Sequence, residues 1–262
     1  MPVHNSEVFL KRSIESIQRQ THTNWELIAV DDHSDDQSLN TLRNFSKNDY
    51  RIKVFENQGP TGPAYARNRA FKEVSGRYVA FLDSDDTWDP CFLIETLSFM
   101  SIKKCPLVYT SYYRFIEGKG QYISPFLVPD HVSYTDILRS NPISCLTALI
   151  DRSMFSNLHM DTTTKREDYT LWLNILKQGH IAYGLRKPLA TYFMRETSFS
   201  RNKKLVIKEQ WKVYRAVEKL SFPRSLYYFT NYLGLSLIKY SSYYLPTRRF
   251  HSDREKVSGS SY

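Results

Sequence analysis

Two short apolar runs that stop abruptly in carboxylates constrain this chain more than any other feature. Residues 25–30 (WELIAV) end in Asp31-Asp32, and residues 78–82 (YVAFL) end in Asp83-Ser84-Asp85-Asp86. Apolar runs of that length, without strict alternation, read as strands buried on both faces, as in parallel sheets. The intervals between them carry helical signals. Phe9, Leu10, Ile14 and Ile17 share one face of a helix over residues 6–20. A second helix is expected from about Ser34 to Phe45, with Asp35 and Asp36 at its positive end. Residues 51–55 form a short strand, and Pro63 opens a third helix that Gly76 closes. Pro90 opens a fourth helix, and residues 107–112 supply another strand. The β-α-β-α-β order predicts an α/β fold with a mainly parallel sheet and helices on both faces. Ligands of such sheets bind at the carboxyl ends of the strands, where both acidic clusters fall.

Farther along, Glu117-Gly118-Lys119-Gly120 reads as a hairpin turn between residues 113–115 and 122–124. Ser133 and Asp136 fit a capping box, and residues 166–178 form a helix with Tyr169, Trp172, Leu173 and Leu176 on one face. Glu167 and Asp168 sit in its first turn. Two more helices are expected, from about Lys203 to Leu220 and from Pro223 to Tyr240, with a disordered tail from Pro246. No internal repeat is apparent.

The 262 residues suffice for one large α/β domain with a small appendage, and 41% hydrophobic with 24% charged content excludes global disorder. No run of about 18 apolar residues and no signal-peptide pattern occur, so neither a membrane span nor secretion is expected. The three cysteines are odd in number and widely spaced, indicating neither a disulfide framework nor a zinc site. These features together imply a cytoplasmic protein. Charge is unevenly divided. From Arg186 onward there are 16 Lys+Arg and 5 Asp+Glu, whereas the preceding 185 residues hold 20 and 22. A basic last third beside a neutral domain suggests an anionic surface, and no nucleic-acid module accompanies the charge. Seven aromatics within residues 227–244, flanked by Arg224, Lys239, Arg248 and Arg249, suit a helix lying on an anionic membrane surface. Packing of that helix on the domain is the alternative.

Asp83 and Asp85, two positions apart at a strand end, can face a hard divalent cation that grips a diphosphate. The string Asp83-Ser84-Asp85-Asp86-Thr87 also fits the signature of haloacid-dehalogenase-like phosphatases, with Asp83 as nucleophile. That signature normally lies on the first strand, and here 82 residues precede it. A non-catalytic nucleotide-binding module is a third possibility.

A larger set of motifs resembles one family. PVHN at residues 2–5, QTHTNWELIAVDDHSDD from Gln20, GPAYARNRA from Gly62, SGRYVAFLDSDDTWDP from Ser75 and REDYTLWL from Arg166 come in the order found in bacterial family-two glycosyltransferases of the GT-A fold. The similarity spans roughly residues 1–200, and its flavour is that of enzymes building O-antigen, capsule or teichuronic acid. The resemblance implies a Rossmann-like GT-A domain over residues 1–200, a C-terminal helical extension over 201–245 and a tail over 246–262. It implies an inverting transfer from a UDP-sugar to a lipid-linked saccharide at the inner face of the cell membrane, with Mn²⁺ or Mg²⁺ as cofactor and no nucleic-acid partner. Carried onto matching positions, it places Pro2, His4, Asp32, Arg67 and Asp83 around the nucleotide, Asp85 on the metal, and Asp168 as the base that deprotonates the acceptor hydroxyl. Plainer uses exist for several of these: Asp32 as a helix cap, Arg67 as a surface charge, Asp168 as a complement to the helix dipole. Relatives usually carry an apolar strand before the PVHN turn, so an open sheet edge is expected here. The segment 195–204 offers Arg195, Lys203 or Lys204 to a donor diphosphate.

Overall fold

The computed structural model describes residues 1–195 and 203–241. The tail expected from Pro246 and the central part of segment 195–204 lie outside them. Ten strands and eight α-helices are described. They begin with β1 (Pro2–Val3), α1 (Glu7–Gln18), β2 (Leu27–Asp31), α2 (Ser38–Asn48), β3 (Ile52–Glu56), α3 (Pro63–Phe71), β4 (Tyr78–Ala80), β5 (Thr87–Trp88) and α4 (Phe92–Lys103). There follow β6 (Leu107–Ile116), β7 (Gln121–Phe126), β8 (His131–Val132), α5 (Tyr134–Arg139), β9 (Leu149–Asp151), α6 (Glu167–Leu176), β10 (Ala182–Met194), α7 (Lys203–Lys212) and α8 (Phe222–Ser241).

The expected mainly parallel sheet is realised in two parts. β1, β2 and β3 form a three-stranded parallel sheet. The other seven strands form a mixed sheet in the order β4-β9-β6-β10-β5, with β7 on β6 and β8 on β10. There only β6 and β10 run parallel, and the remaining pairs are antiparallel. The correction has a physical cause: β9 arrives by an irregular connection, and β10 is long enough to pair with three neighbours. β9 is reached from β6 with no crossover helix directly before it and pairs antiparallel, whereas β10, which follows α6 directly, runs parallel to β6.

The PVHN segment, expected to be wholly a turn, begins as strand. Pro2 and Val3 align with Val30 and Asp31, and Asp32 N–H donates to Val3 O at 2.7 Å. The Met1 amine donates to Ile28 O at 2.8 Å. Burial pushes this amine down to about 5 from its ordinary value near 8. A cavity of about 480 Å³ lies between β2 and β4, lined by Met1, Leu27, Ile28, Val79 and Phe81 among others.

Four apolar clusters result, two of them large. One packs α1 against β2, β5 and α4, with Leu10, Ile14, Leu42 and Phe92 wholly buried. Trp88 stacks on Phe92 at 4.3 Å and donates its indole N–H to Leu146 O. The other centres on α6, where Trp172, Tyr169 and Leu173 are fully buried. α6 is buried on nearly every side, not on one face alone, which fixes its N-terminus rigidly. The Ser133–Asp136 capping box at α5 forms as expected.

At the C-terminal end, α7 runs into a π-helical turn over Val213–Val217 that buries Val213 and Tyr214. Tyr214 Oη donates to Leu138 O at 2.5 Å. α8 packs on α5 and α7 and leaves Phe222, Leu226, Tyr227 and Leu235 exposed.

Candidate active site

The two acidic strand ends are held in different ways. At the end of β2, Asp32 is buried. Its Oδ1 accepts from Asn57 Nδ2 at 2.6 Å and its Oδ2 from the Gly62 N–H at 2.7 Å. Gly62 has φ +145°, a conformation that favours glycine, and immediately precedes Pro63 at the start of α3. Asp32 thereby ties β2 to the loop before α3. Its neighbour Asp31 accepts from Ser34 N–H through Oδ2. His4 Nδ1 lies 2.8 Å from Asp32 O, and Pro2 sits in β1. Pro2, His4 and Asp32 thus gather at one strand end.

At the end of β4, Phe81 and Leu82 continue as buried coil and deliver the Asp83–Asp86 turn. The turn is anchored from α1: Ser6 Oγ and Ser84 Oγ are 2.7 Å apart, Ser13 Oγ donates to Ser84 O, and Arg12 donates to Asp85 O. Asp86 is buried and accepts from Phe193 N–H at 2.9 Å. Burial, reinforced by repulsion from Asp83, pushes its carboxyl well above the ordinary carboxylate range.

Arg67 joins this turn to α6. Only 6% exposed, it donates through Nη2 to Asp83 Oδ1 at 2.5 Å and through Nη1 to Glu167 Oε1 at 2.9 Å. It is therefore neither a surface charge nor freely presented to solvent. Burial and the adjacent Asp168 push Glu167 upward, and Arg67 opposes them. Asp168 is half-buried beside Glu167 in the first turn of α6, and its Oδ1 accepts from Tyr169 N–H. The next residue of the ARN motif, Asn68, clamps Met160 through both its N–H and its carbonyl. The structure thus brings Asp83, Arg67 and the Glu167-Asp168 pair together.

Three residues beyond the sequence-derived core set complete the β4 side. Arg195, at the end of β10, pairs with Asp85, and Arg12 pairs with Glu117 at 2.7 Å. Arg195 had a signal, its basic segment following the last strand. Arg12 and Glu117 carried none, since one lies on an amphipathic helix and the other in a hairpin turn. Among the described residues, no group of three or more His, Cys, Asp or Glu is arranged to hold a metal. A cation at Asp85 would therefore take most of its ligands from elsewhere, such as a diphosphate and water. The site fits that role, because a guanidinium already occupies the Asp85 carboxylate and the available protein donors are hard oxygens.

This architecture is that of a GT-A glycosyltransferase domain. The chain belongs to glycosyl transferase family 2, whose profile matches residues 1–193. It is 37% identical over 232 residues to TuaG of Bacillus subtilis, named for teichuronic acid biosynthesis, covering 88% of this chain and 92% of that protein. It is 35% identical over 242 residues to Escherichia coli WfgD, a UDP-Glc:α-D-GlcNAc-diphosphoundecaprenol β-1,3-glucosyltransferase, covering 92% and 93%. Among solved structures, S. aureus TarS (residues 1–349, with UDP-GlcNAc) superposes with TM-score 0.69 at 21% identity, covering 88% of this chain and 70% of that one. The Pyrobaculum calidifontis mannosyltransferase PcManGT, in complex with GDP-Man and Mn²⁺, gives 0.66 at 12% identity, covering 94% and 74%. These structural likenesses establish the fold. Family membership makes the chain a glycosyltransferase and removes the phosphatase reading of Asp83.

Proposed function

We propose that this glycosyltransferase moves a sugar, with inversion, from a UDP-sugar to a lipid-linked saccharide in cell-surface polysaccharide synthesis. The observation that carries the reading is the Asp83–Arg67–Glu167 bridge. It fixes the acidic turn that would face the donor against the helix end that bears Asp168, so one cleft has a donor side and an acceptor side. The names of WfgD and TuaG support the substrate classes.

Asp32, with Pro2 and His4, forms the wall for the uracil; Asp83 faces the ribose; Arg67 sets the position of Asp83. Asp85 is the protein ligand for Mn²⁺ or Mg²⁺, which when bound supplies positive charge to the departing diphosphate. Asp168 accepts the proton of the acceptor hydroxyl as that oxygen attacks the sugar C1 from the face opposite the leaving group. The test is a donor screen with an undecaprenyl-diphosphate-linked acceptor, with and without EDTA, and NMR of the product's anomeric centre. Transfer from a UDP-sugar with inverted configuration, lost on chelation, is expected. Retained configuration, or full transfer in EDTA, overturns the corresponding part.

The acceptor's lipid places the work at a membrane surface. No helix among the described residues is long and apolar enough to cross one. α8 presents Phe222, Leu226 and Tyr227 outward beside the exposed Arg224, which suits peripheral binding to anionic lipid on the cytoplasmic side. Liposome binding should require acidic lipid, weaken with salt and fall at least tenfold in a Leu226→Glu/Tyr227→Glu double variant. Equal binding by that variant assigns the face to another use. The domain limits follow the same division: a catalytic domain up to about residue 200, then a helical extension that includes α7 and α8.

A further inference from the structure

The Asp85 carboxylate already carries a cation. Arg195 pairs with its Oδ2, and Arg195 Nε lies 3.8 Å from Glu117 Oε2. The guanidinium also lies over the Phe9 ring, 4.3 Å from its centroid. Arg12 stands beside it and lies over Phe193 at 3.6 Å, donating to Asp85 O and pairing with Glu117. Two arginines thus face two carboxylates, Asp85 and Glu117, in a four-charge cluster of zero net charge.

The two arginines are not held equally. Arg12 is fixed by a backbone carbonyl, a 2.7 Å ion pair and an aromatic face. Arg195 has the Asp85 pair, a long approach to Glu117 and the Phe9 face, and no backbone carbonyl among the described residues holds it; the buried Nε–H groups of both arginines have no hydrogen-bond acceptor among those residues. The Arg195 and Asp85 side chains are 28% and 22% exposed, so their pair is open to solvent in part. Of the two, Arg195 is the one that sits on the Asp85 carboxylate, while Arg12 holds the Asp85 backbone carbonyl.

We infer that Arg195 is the resident counter-cation of Asp85 and that a divalent cation binding at Asp85 must displace it. This rests on the reading of Asp85 as a metal ligand. Both cations cannot share Oδ2, since a double positive charge at that oxygen repels the guanidinium. Once displaced, Arg195 keeps the Phe9 face and Glu117, and its N–H groups are free to donate to the oxygens of a diphosphate. One side chain therefore opposes the metal before the nucleotide arrives and supports the nucleotide afterwards.

The consequence is a pair of opposite signs. Removing Arg195 should tighten Mn²⁺ binding to the nucleotide-free protein about tenfold, the factor that corresponds to about 1.4 kcal/mol. In saturating Mn²⁺ the same change should weaken UDP binding by a similar factor. The experiment titrates Mn²⁺ alone, followed by the EPR signal of free Mn²⁺, and then UDP by calorimetry. It uses the wild type, Arg195→Ala, Arg195→Gln and Asp85→Asn. Tighter Mn²⁺ binding in Arg195→Ala and Arg195→Gln, lost in Asp85→Asn, supports displacement; damaged folding weakens metal binding and does not mimic it. If the wild type binds Mn²⁺ and both Arg195 variants bind it equally or more weakly, displacement is overturned and Asp85 remains a metal ligand. Unchanged UDP affinity in those variants overturns the later role of Arg195. No Mn²⁺ binding by any form, with or without UDP, overturns the metal reading itself.

Discussion

The ends of β2 and β4 both carry carboxylates, yet these are satisfied by different chemistry. At β2, Asp31 and Asp32 are answered by neutral donors: the Ser34 and Gly62 N–H groups and the Asn57 amide. These come from segments within about 30 residues along the chain. At β4, Asp83 and Asp85 are answered by the guanidinium groups of Arg67 and Arg195. Neutral donors hold a carboxylate in place without cancelling its charge, whereas an arginine cancels the charge and can be exchanged for another cation. The β2 end is therefore built to keep one geometry. The β4 end is built to exchange partners.

The largest expected effect lies where the β4 side meets α6. Asp168→Asn should lower transfer by about 10²–10⁴-fold, the usual worth of general-base assistance, and leave UDP affinity unchanged. A near wild-type rate would falsify the base assignment and leave Asp168 as a complement to the helix dipole. Next is the bridge itself. Arg67→Leu leaves Asp83 and the buried Glu167 without their common counter-charge, and breaking such a buried pair costs about 3–5 kcal/mol. Urea denaturation is the measure; a loss below about 1 kcal/mol would show that the network is solvated and does not hold the cleft together.

The third prediction contrasts the two strand ends directly. Asp85→Asn should reduce UDP affinity in Mn²⁺ by at least tenfold and make the remainder insensitive to EDTA. Asp32→Asn should weaken UDP binding equally with and without metal and cost about 1–2 kcal/mol of stability through its loop bonds. Identical behaviour of the two variants would erase the distinction. The smallest effect concerns Asp86, whose carboxyl is raised by burial and by Asp83. A raised folded-state value means that the folded chain holds this proton more tightly, so its contribution to stability is present at low pH and lost as pH rises through that value. Asp86→Asn should accordingly raise stability at neutral pH by on the order of 1 kcal/mol, with the difference closing as pH falls. Thermal melts between pH 4 and 8 test this, and a gain independent of pH would assign the effect to packing.

Much of this was legible before the structure. The runs at 25–30 and 78–82 gave β2 and β4; β2 is buried at every position, as its unbroken apolar run requires, whereas β4 lies at a sheet edge and leaves Tyr78 exposed. Pro63 marked the start of α3, Ser133 and Asp136 marked α5, and Glu167-Asp168 marked the first turn of α6. The 78–82 run was read as five residues of strand, and only Tyr78–Ala80 pair, because Phe81 and Leu82 turn out of the ladder to deliver Asp83. α3 stops at Phe71, ahead of Gly76, because residues 75 and 76 bond to Glu26.

The amino-acid sequence by itself determined that strands lie within residues 25–31, 51–56, 78–82 and 107–116 and that carboxylates follow the first and third of them. Those properties depend on neighbours a few positions apart, and periodicity and capping residues record them. Tertiary structure alone decided which charge meets which. Arg67 reaches Glu167 across 100 positions of chain, and Arg12, Asp85, Glu117 and Arg195 come together from a helix, a strand end, a hairpin and the last strand. Arginine on a helix face looks the same in sequence whether it ends in solvent or over Phe193, because pairing between distant side chains is set by how the sheets and helices pack.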